Sequence, residues 1–420
     1  MRVGSTQRRA RAAVPALLTA LVLLVGACGN SKTEDSATAA DAAKVLGAQN
    51  KATGSPVVLG LISDGKGTAV DQTGEVKGAQ AAVAYANDHL GGISGHPIQL
   101  KVCETQNVAA QATACANQMV TAKASAVLGG TLAQADQAIG VLSAAKIPEF
   151  YSQASSQIAL TKPHVFSMTN AVNYFSTPAA YAKQQGYKQA TEVVIDVPGA
   201  SGPAAQVGSL LFGKAGVGYN VLPIAPGTAD MTPQIQAAQK KNPQMYSMLG
   251  DATFCTSALK AMRTLRVKAT ILVAETCVNS GASASIPGGY KGVKVISTLE
   301  FNPADQEYQV FKAALSQYAG GIKPGSIPGI GYAVTLGLVR VLNAAKVKDT
   351  SPAGLEAAVK SAPPVPYPLN GGATFQCNGK AVPLSANICS ANGLLADAAT
   401  NGTLSNYQVV DAGSLFTKSG

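Results

Sequence analysis

The chain has 420 residues, 47% apolar and 13% charged. That gives room for two or three domains of ~100–200 residues, each with a core, and excludes a chain disordered throughout. Its 43 glycines and 22 prolines follow no fixed period, and its net charge of +10 is scattered without a Lys/Arg tract. Collagen, solenoid repeats and a nucleic-acid partner are therefore not expected.

Residues 1–28 read as an export signal. Arg2, Arg8, Arg9 and Arg11 form a basic start without an acid, and Val14 to Val25 is an apolar run interrupted by Pro15. That run is shorter than the ~20 apolar residues of a spanning helix. It ends in Leu24-Val25-Gly26-Ala27-Cys28, which resembles a bacterial lipobox. The resemblance implies cleavage before Cys28 and lipidation of its sulfur. The protein would then face outward from a bacterial cell envelope, held to the membrane by its lipid. Residues 29–55 are small and polar and read as a flexible tether, with a helical turn or two over Ala39 to Gln49.

Beyond the tether, strands and helices alternate. Val57 to Ile62 has strand length, and Ala79, Ala82, Val83, Ala86 and Leu90 share one face of a helix over 78–90. Strands follow at 98–102, 126–130 and 147–151, with helices at 108–120 and 134–145. The same pulse continues with helices at 178–185, 202–215, 231–240 and 256–265. Strands are expected at 192–196, 219–223, 244–249, 270–274 and 293–298. This alternation predicts α/β architecture with parallel sheets covered on both faces, and some nine or ten strands exceed one core, so two lobes are expected. Helices at 306–318, 331–345 and 352–362 come next. Pro363-Pro364-Val365-Pro366 marks a connector. Short strands are expected over 375–384 and 407–416.

Setting Cys28 aside leaves six cysteines, which allow fifteen pairings. Each of Cys103/Cys115, Cys255/Cys277 and Cys377/Cys389 frames a short unit, and local disulfides are the expected pairing in an exported chain. The cysteines form no CxxC, and His89, His96 and His164 lie apart with no HExxH, so neither thiol redox chemistry nor a zinc site is suggested. There is no GxSxG elbow, no GxGxxG and no phosphate loop. No cofactor and no enzymatic activity are expected. An exported hydrolase is kept as a remote alternative.

Several stretches resemble type I periplasmic solute-binding proteins of the branched-chain amino acid-binding branch. They are Gly78 to Asn87, Gly91-Gly92-Ile93-Ser94-Gly95-His96-Pro97-Ile98, Gly129-Gly130, Ala144 to Pro148, Gly227 to Ile235 and Gly331 to Val334. The resemblance implies two Rossmann-like lobes joined by three crossovers, with a ligand cleft between them. The expected segments are 56–172 and 301–350 for the first lobe, and 173–300 and 351–420 for the second. It also implies a monomer that delivers a small polar metabolite to ABC permease subunits. An amino acid or amide-like compound is favoured. A sensing ectoprotein, a degenerate scaffold, and a polyol, sugar or nucleoside-like ligand are the alternatives.

In open parallel sheets ligands bind beyond the C-terminal ends of the strands. In the first lobe those ends hold Asp64, Thr131, Gln134, Ser152, Ala154 and Ser155. The family holds its amino acid head group with the loops that here are 131–134 and 152–156. In the second lobe the ends hold Ser201, Asp251, Phe254 and Glu275. Ser201 stands where the family commonly has an aromatic. Glu275 is expected to meet a ligand ammonium, with Asp251 able to do the same and Phe254 packing on the ligand's apolar part.

Overall fold

The computed structural model of the protein describes residues 44–67, 71–130, 132–320 and 322–416. The export segment, Cys28, Thr131 and the tether up to residue 43 lie outside the described residues.

The first lobe is built on five strands: β1 (Val57–Ser63), β2 (Ile98–Glu104), β3 (Ala126–Gly129), β4 (Glu149–Tyr151) and β5 (Val165–Ser167). They lie in the order β2-β1-β3-β4-β5, all parallel. Leu59 and Leu61 on one face and Ile62 on the other are all within 1% of full burial, as a strand covered on both faces requires. On one side lie the helices Thr73–His89, Gln306–Tyr318 and Ser326–Ala344, and on the other Ala109–Thr121 and Ala135–Ala144. Ser326–Ala344 is apolar enough to pass for a membrane span, but most of it is buried in this core, and that burial accounts for its hydropathy.

The second lobe carries seven strands in the order β14-β13-β10-β9-β8-β6-β7. They are β6 (Gln189–Ile195), β7 (Gly218–Ile224), β8 (Met245–Leu249), β9 (Thr270–Ala274), β10 (Val293–Ser297), β13 (Asn392–Ala398) and β14 (Leu404–Asp411). The strands from β6 to β10 pair in parallel, while β13 joins β10 antiparallel and β14 closes the edge. Separate apolar cores fill the two faces. The chain passes between lobes three times: after β5, after β10, and between Phe375 and Asn392.

The structure adds β5 and the short helix Gln157–Thr161, which the sequence pattern does not signal, and three segments run differently from expectation. Residues 46–54 do not hang free: Leu46 is buried in the first core, Asn50 and Ala52 donate to Asp88 and Asn87 carbonyls, and Gly54 donates to Gly95. One apolar anchor and a row of backbone bonds outweigh the polarity of the segment. The final return also comes later than residue 351. The helix Pro352–Ser361 buries Leu355 and Val359 in the first core, and the hairpin β11 (Val365–Pro366) and β12 (Thr374–Phe375) follows it there. The strand expected over 375–384 shrinks to the end of this hairpin. The chain there runs between lobes and touches the edge strand β5 only at its last residue, where Asn387 and Cys389 bond to Ser167 in a single parallel bridge.

The structure joins Cys103 to Cys115, Cys255 to Cys277, and Cys377 to Cys389. The first ties β2 to the following helix, and the second ties the helix Ala252–Thr264 to the turn after β9. Closing loops with separations of 12 and 22 residues is worth roughly 3 kcal/mol each in the chain-entropy account.

Candidate functional site

The strand ends of the two lobes face each other across a cavity of ≈ 580 Å³. The first lobe contributes the loops 132–137 and 151–156. The second contributes Tyr174, Glu275 and Thr276, and Thr298 lies on the passage back. Each loop has a local cause. Gly129 and Gly130 end β3 where a side chain has no space: a Cβ on Gly129 would meet the Tyr151 ring, and one on Gly130 would meet Glu75. The Gly130 N–H donates to Glu75 Oε1 at 3.1 Å, fixing the loop to the helix Thr73–His89. Ser156 caps the short helix Gln157–Thr161 by accepting from the Ala159 N–H, and its hydroxyl donates to Asp136.

Of the residues expected at the ligand, Gln134, Ser152, Ala154, Ser155 and Glu275 line this cavity. Their free valences differ. Ser152 is 7% exposed, and its hydroxyl accepts from the Tyr367 phenol at 3.1 Å. The Ala154 N–H donates to Ser167 Oγ at 3.0 Å. Gln134 donates to Asn107 Oδ1 at 3.2 Å. Ser155 is exposed to the cavity.

Glu275 sits in the turn after β9 and is largely spoken for. Thr298 donates to it twice, from its N–H to Oε2 at 2.9 Å and from its hydroxyl to Oε1 at 2.8 Å. The Tyr174 phenol is a third donor. Ser297 Oγ lies 3.2 Å from Oε2 but also donates to the Leu299 carbonyl at 2.7 Å. Burial pushes the Glu275 carboxyl up, against the downward pull of these donors. The carboxylate thereby links the turn after β9 to the passage leaving β10 and to the first helix of the second lobe.

Four expected residues lie elsewhere or act differently. Asp64 does not line the cavity; it accepts from the Thr105 hydroxyl at 2.7 Å and the Ala133 N–H at 3.0 Å, and so holds the 132–137 loop from behind. Ser201 donates to the Val197 carbonyl within its own helix. Phe254 is 4% exposed and packs in a second-lobe core under Gly250. Asp251 caps the helix Ala252–Thr264 by accepting from the Phe254 N–H at 2.9 Å, and that cap starts the helix four residues earlier than expected. Asp251 does reach a second cavity, described next.

This second cavity, of ≈ 530 Å³, adjoins the first and shares Gln153, Ser155, Tyr174 and Thr276 with it. It runs into the second lobe under the helical stretch 198–215, which contains one π-helical turn at Ala204–Gly208. Its walls are mainly apolar, among them Ile195, Val207, Leu249 and Phe175. The sequence reading passed over Tyr174 and Thr298. The helix expected over 178–185 begins at Asn173, with Pro178 inside it. Thr298 follows the end of β10, and the strand-end rule applied there would have found it.

Among the described residues no Lys, Arg or His lines either cavity, whereas Asp136, Glu275 and Asp251 do. Among the described residues no cluster of His, Cys, Asp and Glu suits a metal ion.

Two α/β lobes with three passages between them and a cavity where their strand ends meet define a two-lobed binding protein. The sequence pattern of the periplasmic binding protein family matches residues 56–385, and the chain belongs to that family. Solved structures agree on the fold. A branched-chain amino acid ABC transporter periplasmic ligand-binding protein from Burkholderia xenovorans aligns with TM-score 0.68 at 15% identity, over 86% of this chain and 96% of that one. The LivJ binding protein from Streptococcus pneumoniae, in complex with isoleucine, gives 0.60 at 17% identity, over 84% and 99%. A solute binding protein from R. palustris, in complex with 4-hydroxybenzoate, gives 0.60 at 20% identity, over 83% and 95%. No curated protein sequence matches the chain.

Proposed function

We propose that this protein captures a small molecule with an amino acid or amide-like head in the interlobe cleft and delivers it to an ABC importer. The observation that carries the reading is the composition of the cleft: hydroxyls, amides and acids from both lobes, with no cation among the described residues. A head bearing its own N–H donors or an ammonium suits such walls, whereas a compound that is only an anion does not. The solved relatives named for ABC transport support the delivery step.

The ammonium or amide N–H is assigned to Asp136. Three protein donors already occupy Glu275, while among the described residues Asp136 has the Ser156 hydroxyl bonded to Oδ1 and lines the cleft. Ser155 and the uncapped start of the helix Ala135–Ala144 supply donors for the other end of the head. Lobe closure removes both ends from water together, which is tolerable only when each is paired.

Calorimetric titration with amino acids, their amides and polyols tests this. The isosteric Asp136→Asn change is expected to weaken amino acid binding about tenfold or more by removing one charge-assisted bond. Tight binding of a neutral polyol, indifferent to that change, would overturn the reading.

The lipobox-like run before Cys28 supports attachment of the protein to the outer side of a bacterial membrane. Mass spectrometry of the native N-terminus is expected to find a lipid-modified Cys28. An unmodified terminus elsewhere would sink the anchor.

A further inference from the structure

The cleft alone has space for an amino acid, so the adjoining cavity calls for an occupant of its own. Its polar groups, Gln153, Ser155, Thr276 and Asp251, are joined by an apolar interior drawn from separate elements of the second lobe. Ile195 and Leu249 end neighbouring strands, Phe175 comes from the first helix, and Val207 from the helix above. Ile195, Val207 and Leu249 are only partly buried, so their faces turned to the cavity are still open to solvent. Apolar surface gathered in a concavity beside a polar cleft is the usual arrangement of a small-molecule site.

The backbone over the cavity supplies a second, independent observation. The helical stretch 198–215 is interrupted by the π-helical turn Ala204–Gly208, and Val207 lies within it. Such turns are rare and collect at functional sites.

We propose that this second cavity holds the hydrocarbon or aryl body of the ligand, which makes the ligand an amphiphile whose polar head occupies the cleft. The proposal rests on the reading of the cleft as the head-group site. It departs from a short aliphatic or polar amino acid, whose side chain would leave most of ≈ 530 Å³ empty. The two spaces meet at Tyr174 and Ser155, so the head-to-body junction falls there.

The test holds the head constant and lengthens the body. Straight-chain 2-amino acids from four to twelve carbons are titrated into the purified protein by calorimetry. Affinity is expected to rise about fourfold per added methylene, and then to level off once the cavity is filled. Gly199 lines the cavity, and a Cβ built on it meets nothing within 4 Å. Gly199→Phe is therefore expected to flatten the series at its long end while the shortest members bind as before. Gly199→Leu gives a milder version of the same effect, and the thermal melt of each variant reports that it is folded. Affinity that does not rise with length, or a rise that Gly199→Phe leaves intact, would overturn the proposal while the head-group reading stands. Failure of every amino acid, short or long, would overturn both.

Discussion

Glu192→Gln is expected to stabilise the folded protein at alkaline pH, by roughly 3–5 kcal/mol more at pH 9 than at pH 5. Glu192 lies in the middle of β6 and is 1% exposed. It shares a sheet face with Ala190 and Val194 of a second-lobe core, and accepts from the Ser247 hydroxyl on β8. Burial pushes its carboxyl up to about 8, from an ordinary value of 4.5. The folded state therefore holds a proton that the unfolded chain releases. The contribution to stability is full below pH 4.5, declines as pH rises through about 8, and is flat beyond. Glutamine keeps the shape and an acceptor for Ser247 without the ionisation, and removes that slope.

Glu149 on β4 adds a parallel slope. Burial also raises it to about 8, against the pull of the Tyr151 phenol at 2.8 Å. The single variant should lose about half of the decline and the pair Glu149→Gln with Glu192→Gln most of it. Urea titrations at pH 5, 7 and 9 measure this. A native chain and a Glu192→Gln variant with the same pH slope would show that Glu192 does not carry it.

Gly78→Ala and Gly331→Ala are each expected to destabilise the protein by about 2–4 kcal/mol. The helices Thr73–His89 and Ser326–Ala344 cross with backbones nearly touching. A Cβ on Gly78 would lie 1.9 Å from the Pro328 carbonyl oxygen, and one on Gly331 would lie 2.0 Å from that of Glu75. Neither obstacle is a side chain that can turn away, so the helices would have to part. Elsewhere in a helix the same change is favourable by roughly 0.5–1 kcal/mol. Gly140, in the helix Ala135–Ala144, meets nothing within 4 Å and serves as the control of opposite sign. The helix pair also positions the cleft, since Glu75 bonds to the Gly130 N–H and Ile330 lines the cavity. Melting curves of the three variants decide the matter. If Gly78→Ala and Gly331→Ala were as stable as Gly140→Ala, the close approach would not exist.

The alternation of apolar runs with amphipathic stretches was enough to place most strands and helices up to residue 345, but not the three-residue strand β5 or the short helix Gln157–Thr161. The inner strands are buried on both faces and the helices on one, so the periodicity of burial is written into the order of residue types. The strand-end rule likewise located the loops that form the cleft, because parallel sheets put every βα turn on one side. The distinction between a residue that faces the cavity and one that serves the frame depended on the tertiary structure. Asp64, Ser201 and Phe254 sit at strand ends or helix starts of the kind that Gln134 and Ser155 occupy. Their side chains are taken up by Ala133, Val197 and the second-lobe core. Glu275 reaches the cleft but meets Thr298, 23 residues further on, and Tyr174, about a hundred residues earlier, and no local pattern encodes those encounters. The apolar cavity is equally hidden. Its wall gathers side chains from 153 to 276, each ordinary in its own element. Local burial repeats with the period of a helix or strand and so is visible in one dimension. A cavity is the space left between elements, and it exists only once they have packed.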